Sequence, residues 1–240
     1  MLVQNDQHRY TYDASSPLLL WRANTLFDKE PETIEWLRGL TFNDVLYDVG
    51  ANVGMYSVYA GMRCRKVYSF EPESANFSIL NRNIGLNGLV DRVIAYPLAL
   101  SDEERLDTLR LSTVEPGAAL HAFGTNVDFR GLSFEPKFAQ GSICTTLDAL
   151  VYRWGLECPT HLKIDVDGLE PRIVRGAERL LANPGLRSVL IEINEMLGPD
   201  RDIVQTLERH GFSVAAIGEP VEDKAETMRM RNYVFERQPG

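Results

Sequence analysis

Val45-Leu46-Tyr47-Asp48-Val49-Gly50-Ala51-Asn52-Val53-Gly54 decides the architecture of this chain. An apolar run ends in an acid, two glycines punctuate a tight turn, and Met55 to Ala60 opens as a helix. Strand, glycine turn and helix in that order build a nucleotide-type crevice at the carboxyl end of a first parallel strand. Gly50 and Gly54 let the backbone pass close to a ligand and take φ values closed to other residues. The helix N-terminus beyond Gly54 offers unpaired N–H groups to a carboxylate.

The letters of the turn select the ligand. A pyrophosphate-gripping turn reads G-x-G-x-x-G, whereas this one reads D-x-G-x-N-x-G. Asp48 places a negative charge where a pyrophosphate wants none. A cofactor with a free ammonium and a sulfonium, such as S-adenosylmethionine, suits it better. An ordinary strand–turn–helix with glycines for geometry alone would share these letters. The next strand weakens that reading: Lys66-Val67-Tyr68-Ser69-Phe70 ends at Glu71-Pro72. An acid about 20 residues beyond the turn can accept hydrogen bonds from both hydroxyls of a ribose.

Further segments follow in a fixed order: Asn76-Phe77, Asn81-Arg82-Asn83-Ile84-Gly85-Leu86-Asn87, Ala99-Leu100-Ser101-Asp102, Lys163-Ile164-Asp165-Val166-Asp167-Gly168-Leu169-Glu170, Gly176-Ala177 and Ile191-Glu192-Ile193-Asn194. With Asp48 to Ser57 and Phe70-Glu71-Pro72, this ordered set resembles the FkbM-type S-adenosylmethionine-dependent methyltransferases over roughly residues 30 to 237. One departure is visible. The family pattern reads K-I-D-V-E-G, and Asp167 stands here for that Glu, keeping the charge with a shorter reach. The resemblance implies a class I methyltransferase Rossmann-like fold: a mostly parallel seven-stranded sheet, helices on both faces and an antiparallel last strand. It implies O-methylation of a hydroxyl on a sugar, polyketide or related small natural product. It also implies that Asp48, Gly50, Ala51, Asn52, Gly54, Tyr56, Ser57, Glu71, Pro72 and Asn76 belong to the cofactor site.

Composition agrees with one α/β domain. The 240 residues are 44% apolar, enough for one good-sized core. No apolar run reaches membrane-spanning length. No basic stretch precedes a hydrophobic core at the N-terminus, so no signal peptide is expected. Cys64, Cys144 and Cys158 are odd in number and widely spaced, which fits neither a zinc site nor a disulfide framework. A reducing cytoplasm is the simplest setting. The formal charge of −9 argues against a nucleic-acid substrate, whose phosphates need a basic face.

Residues 1 to 30 carry no period and read as an arm or cap; residues 31 to 240 read as the methyltransferase domain. Pro31 to Leu37 reads as a short helix. Phe77, Leu80 and Ile84 recur at helical spacing, so that segment packs one face on a sheet. Arg92 to Pro97, His161 to Val166, Ser188 to Ile193, Phe212 to Ile217 and Tyr233 to Phe235 read as further strands of the sheet. Leu106 to Leu111 and Gly141 to Leu147 read as two additional β segments. Between them, Glu115 to Gln140 is irregular, as functional loops are. Leu169, Ile173, Ala177 and Leu180 line one helical face, and Asp200 to Gly211 reads as a helix with Gly211 ending it.

Ligands in such folds sit outside the carboxyl ends of the strands. Those ends supply Asp48, Glu71, Ser101, Asp102, Asp165, Asp167, Glu192 and Asn194. Asp48 and Asp165 are expected to attract the ammonium and sulfonium end of the cofactor. Backbone near Leu100 and Ser101 is expected to border the adenine. A hydroxyl acceptor is a weak nucleophile and needs a base, for which Asp165, Asp167 and Glu192 are the candidates. His161 opens its strand at the wrong end, and His121 in the irregular loop reads as solvated. Asp167-Gly168-Leu169-Glu170 also has the spacing of a capping box, with Asp167 as N-cap. Asp165, Asp167 and Glu192 could together offer oxygens to Mg²⁺, although nothing in the spacing demands a metal. A nicotinamide-dependent oxidoreductase and a non-catalytic binding domain of the same fold are the alternatives. The first is opposed by Asp48 and the missing G-x-G-x-x-G, the second by retention of Asp48, Glu71 and Asp165 together. Nucleic-acid N-methylation is opposed by the D-V-D-G end of the fourth strand, which lacks an amide and aromatic to hold a flipped base.

Overall fold

The computed structural model describes residues 1–4, 8–119, 121–126, 132–222 and 228–238. Seven strands form the main sheet: β1 (Val45–Val49), β2 (Lys66–Phe70), β3 (Val93–Tyr96), β4 (His161–Ile164), β5 (Ser188–Asn194), β6 (Phe212–Ile217) and β7 (Arg229–Arg237). Their order across the sheet is β6-β7-β5-β4-β1-β2-β3, and a short strand, Val221–Glu222, pairs with β7 at one edge. Strands β5, β4, β1, β2 and β3 run parallel to one another. β7 runs antiparallel to both β5 and β6. The order reverses beside β1, which opens the crevice at the carboxyl ends of β1 and β4.

All five residues of β1 are buried because both faces of the sheet are covered. Side chains alternate between two cores, as the pleat requires. Val45, Tyr47 and Val49 face the core built with α5 (Leu147–Tyr152), α6 (Glu170–Arg175), α7 (Glu178–Leu181) and α8 (Gly198–Arg209). Leu46 faces the core built with α1 (Pro17–Asn24), α2 (Pro31–Arg38), α3 (Met55–Gly61) and α4 (Ser74–Leu86). Leu37 and Leu207 are fully buried, one on each side. Truncating either to Ala would cost about 2–5 kcal/mol.

Three local readings change. Described residues of the segment read as an arm or cap, among them Tyr10, Tyr12, Leu19, Ala23 and Leu26, are buried in the second core. Leu2–Gln4 and Arg9–Thr11 form an antiparallel ribbon, Ser16 caps α1 by accepting from the Leu19 N–H at 3.2 Å, and Tyr10, Tyr12, Leu19 and Ala23 are buried. The β segments near residues 106 and 141 extend to Arg105–Leu111 and Phe138–Thr145. Together with Ala99–Leu100 and Ala122–Phe123 they make a separate four-stranded sheet. The expected irregular loop from Glu115 to Gln140 is thus shorter than read, and within it residues 120 and 127–131 lie outside the described residues. Finally, the helical face from Leu169 to Leu180 is split into α6 and α7 at Gly176. A Cβ there would meet the Ser101 carbonyl oxygen at 2.2 Å, so the glycine permits a backbone contact that an unbroken side-chain ridge would block. Among the described residues no helix is long and apolar enough to cross a membrane.

Candidate functional site

A cavity of about 670 Å³ lies at the carboxyl ends of β1, β2, β4 and β5. Its walls hold Gly50, Asn52, Glu71, Pro72, Asn76, Leu100, Asp165, Asp167 and Glu192 from the sequence-predicted set. A smaller space of about 50 Å³ shares Gly50, Asn52 and Asp165 with it and is lined also by Ala51, Tyr56 and Lys163. The turn after β1 therefore borders both spaces. Asp48, Gly54, Ser57 and Ser101 line neither space.

Glu71 is tied into the turn. Its Oε2 accepts from the Asn52 N–H and its Oε1 from the Glu73 N–H, both at 2.8 Å. A carboxylate has about four acceptor positions, so lone pairs on both oxygens are left for a ligand. Burial pushes the Glu71 pKa up to about 8 against the pull of those two N–H groups. Asn52 sits at φ 49, a left-handed conformation that Asn tolerates better than most residues.

Asp48 is buried behind the cavity. Ser57 Oγ donates to its Oδ2 at 2.5 Å, Ser69 Oγ donates to Ser57 Oγ at 2.8 Å, and Lys163 Nζ lies 4.0 Å from its Oδ1. Lys163 stands closer to Asp165, donating to Oδ2 at 2.9 Å. That asymmetry explains the opposite behaviour of the two acids. Burial raises the Asp48 pKa and the distant ammonium only partly offsets it. Burial also works against charge on Asp165, but Lys163, Lys29 and Arg22 outweigh it and hold the carboxyl below its usual range. Of the two, Asp165 alone faces the cavity.

Gly50 serves backbone packing before it serves a ligand. At φ 80, its Cβ would fall 1.8 Å from the Asp165 carbonyl oxygen. At Gly54, a Cβ would meet Leu80 Cδ1 at 2.4 Å. The glycines thus pack β1 against the end of β4 and α3 against α4, and Gly50 also lines the cavity.

Asp167 and Glu170 do not form a capping box. Asp167 adopts φ 59, Leu169 is the N-cap of α6, and Pro171 in the first turn sets the start of the helix. Glu170 reaches back instead, its Oε1 and Oε2 accepting from the Val166 and Gly168 N–H groups at 2.9 Å each. Beside this buckle, Asp167 lines the cavity together with Glu192. Burial raises the Glu192 pKa well above the usual carboxylate range, and Asp165, Glu170, Asp167 and Glu30 repel a charge there further. Among the described residues no three His, Cys, Asp or Glu side chains converge as a metal site.

Several lining residues escaped the sequence reading. Trp21, Arg22, Lys29 and Glu30 come from the N-terminal segment, and Arg231 and Asn232 from β7. Arg22 Nε donates to the Gly117 carbonyl at 2.6 Å, while Asn52 Nδ2 and Asn76 Nδ2 donate to the Ala118 carbonyl at 2.8 and 3.1 Å. Asn76 Oδ1 accepts from the Gly117 N–H at 2.7 Å. These bonds strap residues 117–118 across the cavity. His121 is half-buried in its wall rather than solvated, and burial lowers its pKa. His161 lies at the amino end of β4, paired with Leu46 and Ser188, away from the site. The apolar wall is made by Phe70, Leu98, Leu100, Leu109 and Phe123. The cavity thus combines apolar wall that suits a flat ring with acids that suit a cation.

Comparison with known proteins supports the same architecture. Residues 48–214 match the model of the methyltransferase FkbM domain. The 31-O-demethyl-FK506 methyltransferase FkbM of Streptomyces tacrolimicus is 29% identical over 201 residues, 74% of this chain and 76% of that protein. The hexuronic acid methyltransferase AglP of Haloferax volcanii is 24% identical over 213 residues, 89% of this chain and 82% of that protein. The crystal structure of methyltransferase FkbM from Methylobacillus flagellatus KT superposes with a TM-score of 0.51 at 15% identity, covering 94% of this chain and 56% of that one. A precorrin-6y C5,15-methyltransferase from Geobacter metallireducens GS-15 shares the fold with a TM-score of 0.50 at 14% identity, over 87% of each chain. Since the family model spans well over half of its residues, this chain belongs to the FkbM methyltransferase family.

Proposed function

We propose that this methyltransferase uses S-adenosylmethionine to methylate a hydroxyl of a sugar, polyketide or related small natural product. The observation that carries the reading is the polarity of the cavity. Across the sheet, Leu98 and Leu100 follow β3, Glu71 follows β2 and Asp165 follows β4, and all four line the cavity. Adenine, ribose and a cationic amino-acid end need those three environments in that order. A volume of about 670 Å³ is within the range of cofactor sites. Leu100 and Pro72 would border the base, Glu71 would hold the ribose, and Asp165 would face the ammonium.

The bound cofactor supplies a methyl group made electrophilic by the adjoining sulfonium. The chain's task is then to align an acceptor oxygen behind that carbon and remove its proton. Of the carboxyl groups in the cavity wall, Asp167 and Glu192 are the candidates for this. The Glu32 and Glu219 side chains in the lining, with a formal charge of −9, support a small acceptor over nucleic acid. Three free thiols fit a cytoplasmic setting. The test is calorimetric binding of S-adenosylhomocysteine, followed by transfer of labelled methyl to a panel of hydroxylated acceptors. No binding of S-adenosylhomocysteine would reject the cofactor. Binding without transfer to any hydroxyl, but with transfer to amines, would reject O-methylation.

A further inference from the structure

Lys163 occupies the middle of β4 between two buried aliphatic residues, Leu162 and Ile164. Its own side chain is 1% exposed. A lysine ammonium in such a place is costly unless it is paired, and an aliphatic side chain would fill the same space without that cost. Its partners are Asp165 Oδ2 at 2.9 Å and Asp48 Oδ1 at 4.0 Å, with the Tyr56 ring centroid 5.2 Å away. Asp48 cannot swing off, because its other oxygen holds Ser57 and Ser57 holds Ser69. Nor can the Asp165 backbone shift, because Gly50 packs against its carbonyl.

Two acids and one ammonium in a row leave one negative charge in excess. Asp48 is sealed, whereas the Asp165 side chain is 27% exposed. Within this row the Asp165 carboxylate is the acid that reaches the cavity wall. Arg22 and Lys29 also face it and favour its charged form, while Arg22 Nε is held by the Gly117 carbonyl and Lys29 by Glu30. We propose that Lys163 is a positioning residue for cofactor binding: anchored by Asp48, it fixes the Asp165 carboxylate in place to receive the ligand's ammonium. This rests on the cofactor proposed above.

The test compares two ligands in the full-length chain. S-adenosylhomocysteine carries the amino-acid end, and 5′-methylthioadenosine has the same adenosine and thioether without it. In Lys163→Met, calorimetry should show affinity for S-adenosylhomocysteine falling about tenfold or more, the worth of a charge-assisted hydrogen bond. Affinity for 5′-methylthioadenosine should stay within about twofold. Lys163→Met leaves Asp48 buried without its cation and could unfold the chain. Asp48→Asn combined with Lys163→Met removes both buried charges, keeps an acceptor for Ser57, and should show the same selective loss. Equal losses for the two ligands would mean that Lys163 only supports the fold, and unchanged affinity for S-adenosylhomocysteine would mean that it supports nothing in the site. Either result overturns the proposal. Should the wild-type chain bind neither ligand, the cofactor reading falls first and takes this inference with it.

Discussion

The backbone N–H of Asn52 donates to Glu71 Oε2 at 2.8 Å. The glycine turn after β1 and the acid that ends β2 are therefore one device, not two neighbouring ones. The turn holds the carboxylate, and the carboxylate satisfies the turn. Replacing Glu71 by Ala should weaken S-adenosylhomocysteine binding by about 1.5–3 kcal/mol, the range for hydrogen bonds to a charged group. Because Asn52 would also lose its acceptor, a small drop in melting temperature should accompany it. Calorimetry and thermal unfolding on the same sample separate the two effects, and unchanged affinity would remove Glu71 from the ribose.

Glu71 also sets a pH dependence. With its pKa raised by burial to about 8, it is largely protonated in the empty site at pH 7. Two ribose hydroxyls donate better to the ionised form. Ligand binding should therefore release a proton below pH 8, and affinity should climb between pH 6.5 and 8.5. The stability consequence has the opposite sense. A carboxyl whose folded pKa is raised contributes most when protonated, so its contribution to folding falls as pH rises from about 4.5 toward 8. Glu71→Gln should flatten the affinity profile. Binding measured in buffers of different ionisation enthalpy should lose its proton release in that variant.

Gly50 invites a different experiment from the one its motif suggests. The obvious expectation is a folded protein with a blocked site. The geometry says otherwise, since a Cβ at Gly50 would sit 1.8 Å from the Asp165 carbonyl oxygen at a φ unfavourable to Ala. Gly50→Ala should destabilise the fold by more than about 2 kcal/mol, through strain and the displaced end of β4. Denaturant unfolding gives the value directly. A variant with native stability and no ligand binding would restore the simpler idea.

The contrast between Glu71 and Arg22 shows what the sequence could reveal. The strand–turn–helix from Val45 to Ala60 and the strand ending at Glu71 were legible because they are local, with fixed spacing and distinctive residue types. The mostly parallel sheet with its antiparallel β7 came through the family resemblance. Arg22, Lys29 and Glu30 were not legible, because nothing local tells an aperiodic N-terminal segment to fold across a crevice built by residues far along the chain. Lys163 did carry a signal. A lysine inside the buried run from Leu162 to Ile164 must have a partner, and Asp48 was the acid at the neighbouring strand position. The Asp167–Glu170 spacing misled for a physical reason. Asp167 turns left-handed and Pro171 opens α6, so Glu170 buckles the preceding loop instead of closing a capping box.

The strap over the cavity can be loosened without touching its acids. Asn76 donates to the Ala118 carbonyl and accepts from the Gly117 N–H. Asn76→Ala removes both bonds and should speed amide exchange at Gly117 by about tenfold or more, from net hydrogen-bond values near 1 kcal/mol each. Ligand affinity should fall as well, since residues 118 and 119 line the cavity. Exchange mapped by mass spectrometry should stay unchanged in β1 and β4, where the backbone bonds are intact.

The last question is which carboxyl takes the acceptor's proton. Asp167 adopts φ 59, a conformation that Asn holds almost as readily as Asp, so Asp167→Asn should fold normally. Glu192→Gln keeps shape and loses only the ability to ionise. A base lost in either place should lower turnover by about 10²–10⁴-fold with little change in cofactor affinity. Asp165→Asn should differ from both by weakening the cofactor itself. The pH profile divides the two candidates. Glu192 is pushed well above the ordinary carboxylate range by burial and by the acids around it. If it is the base, turnover should still be rising with pH above the ordinary carboxylate range, and Glu192→Gln should abolish that rise. If Asp167 is the base instead, Glu192→Gln should leave turnover and its pH profile unchanged. A chelator added to the wild type should leave either profile unmoved, since the described acids do not converge as a metal site. Loss of activity on chelation would shift proton removal from a lone carboxylate to a metal-bound acceptor, and normal turnover in both variants would exclude Asp167 and Glu192 together.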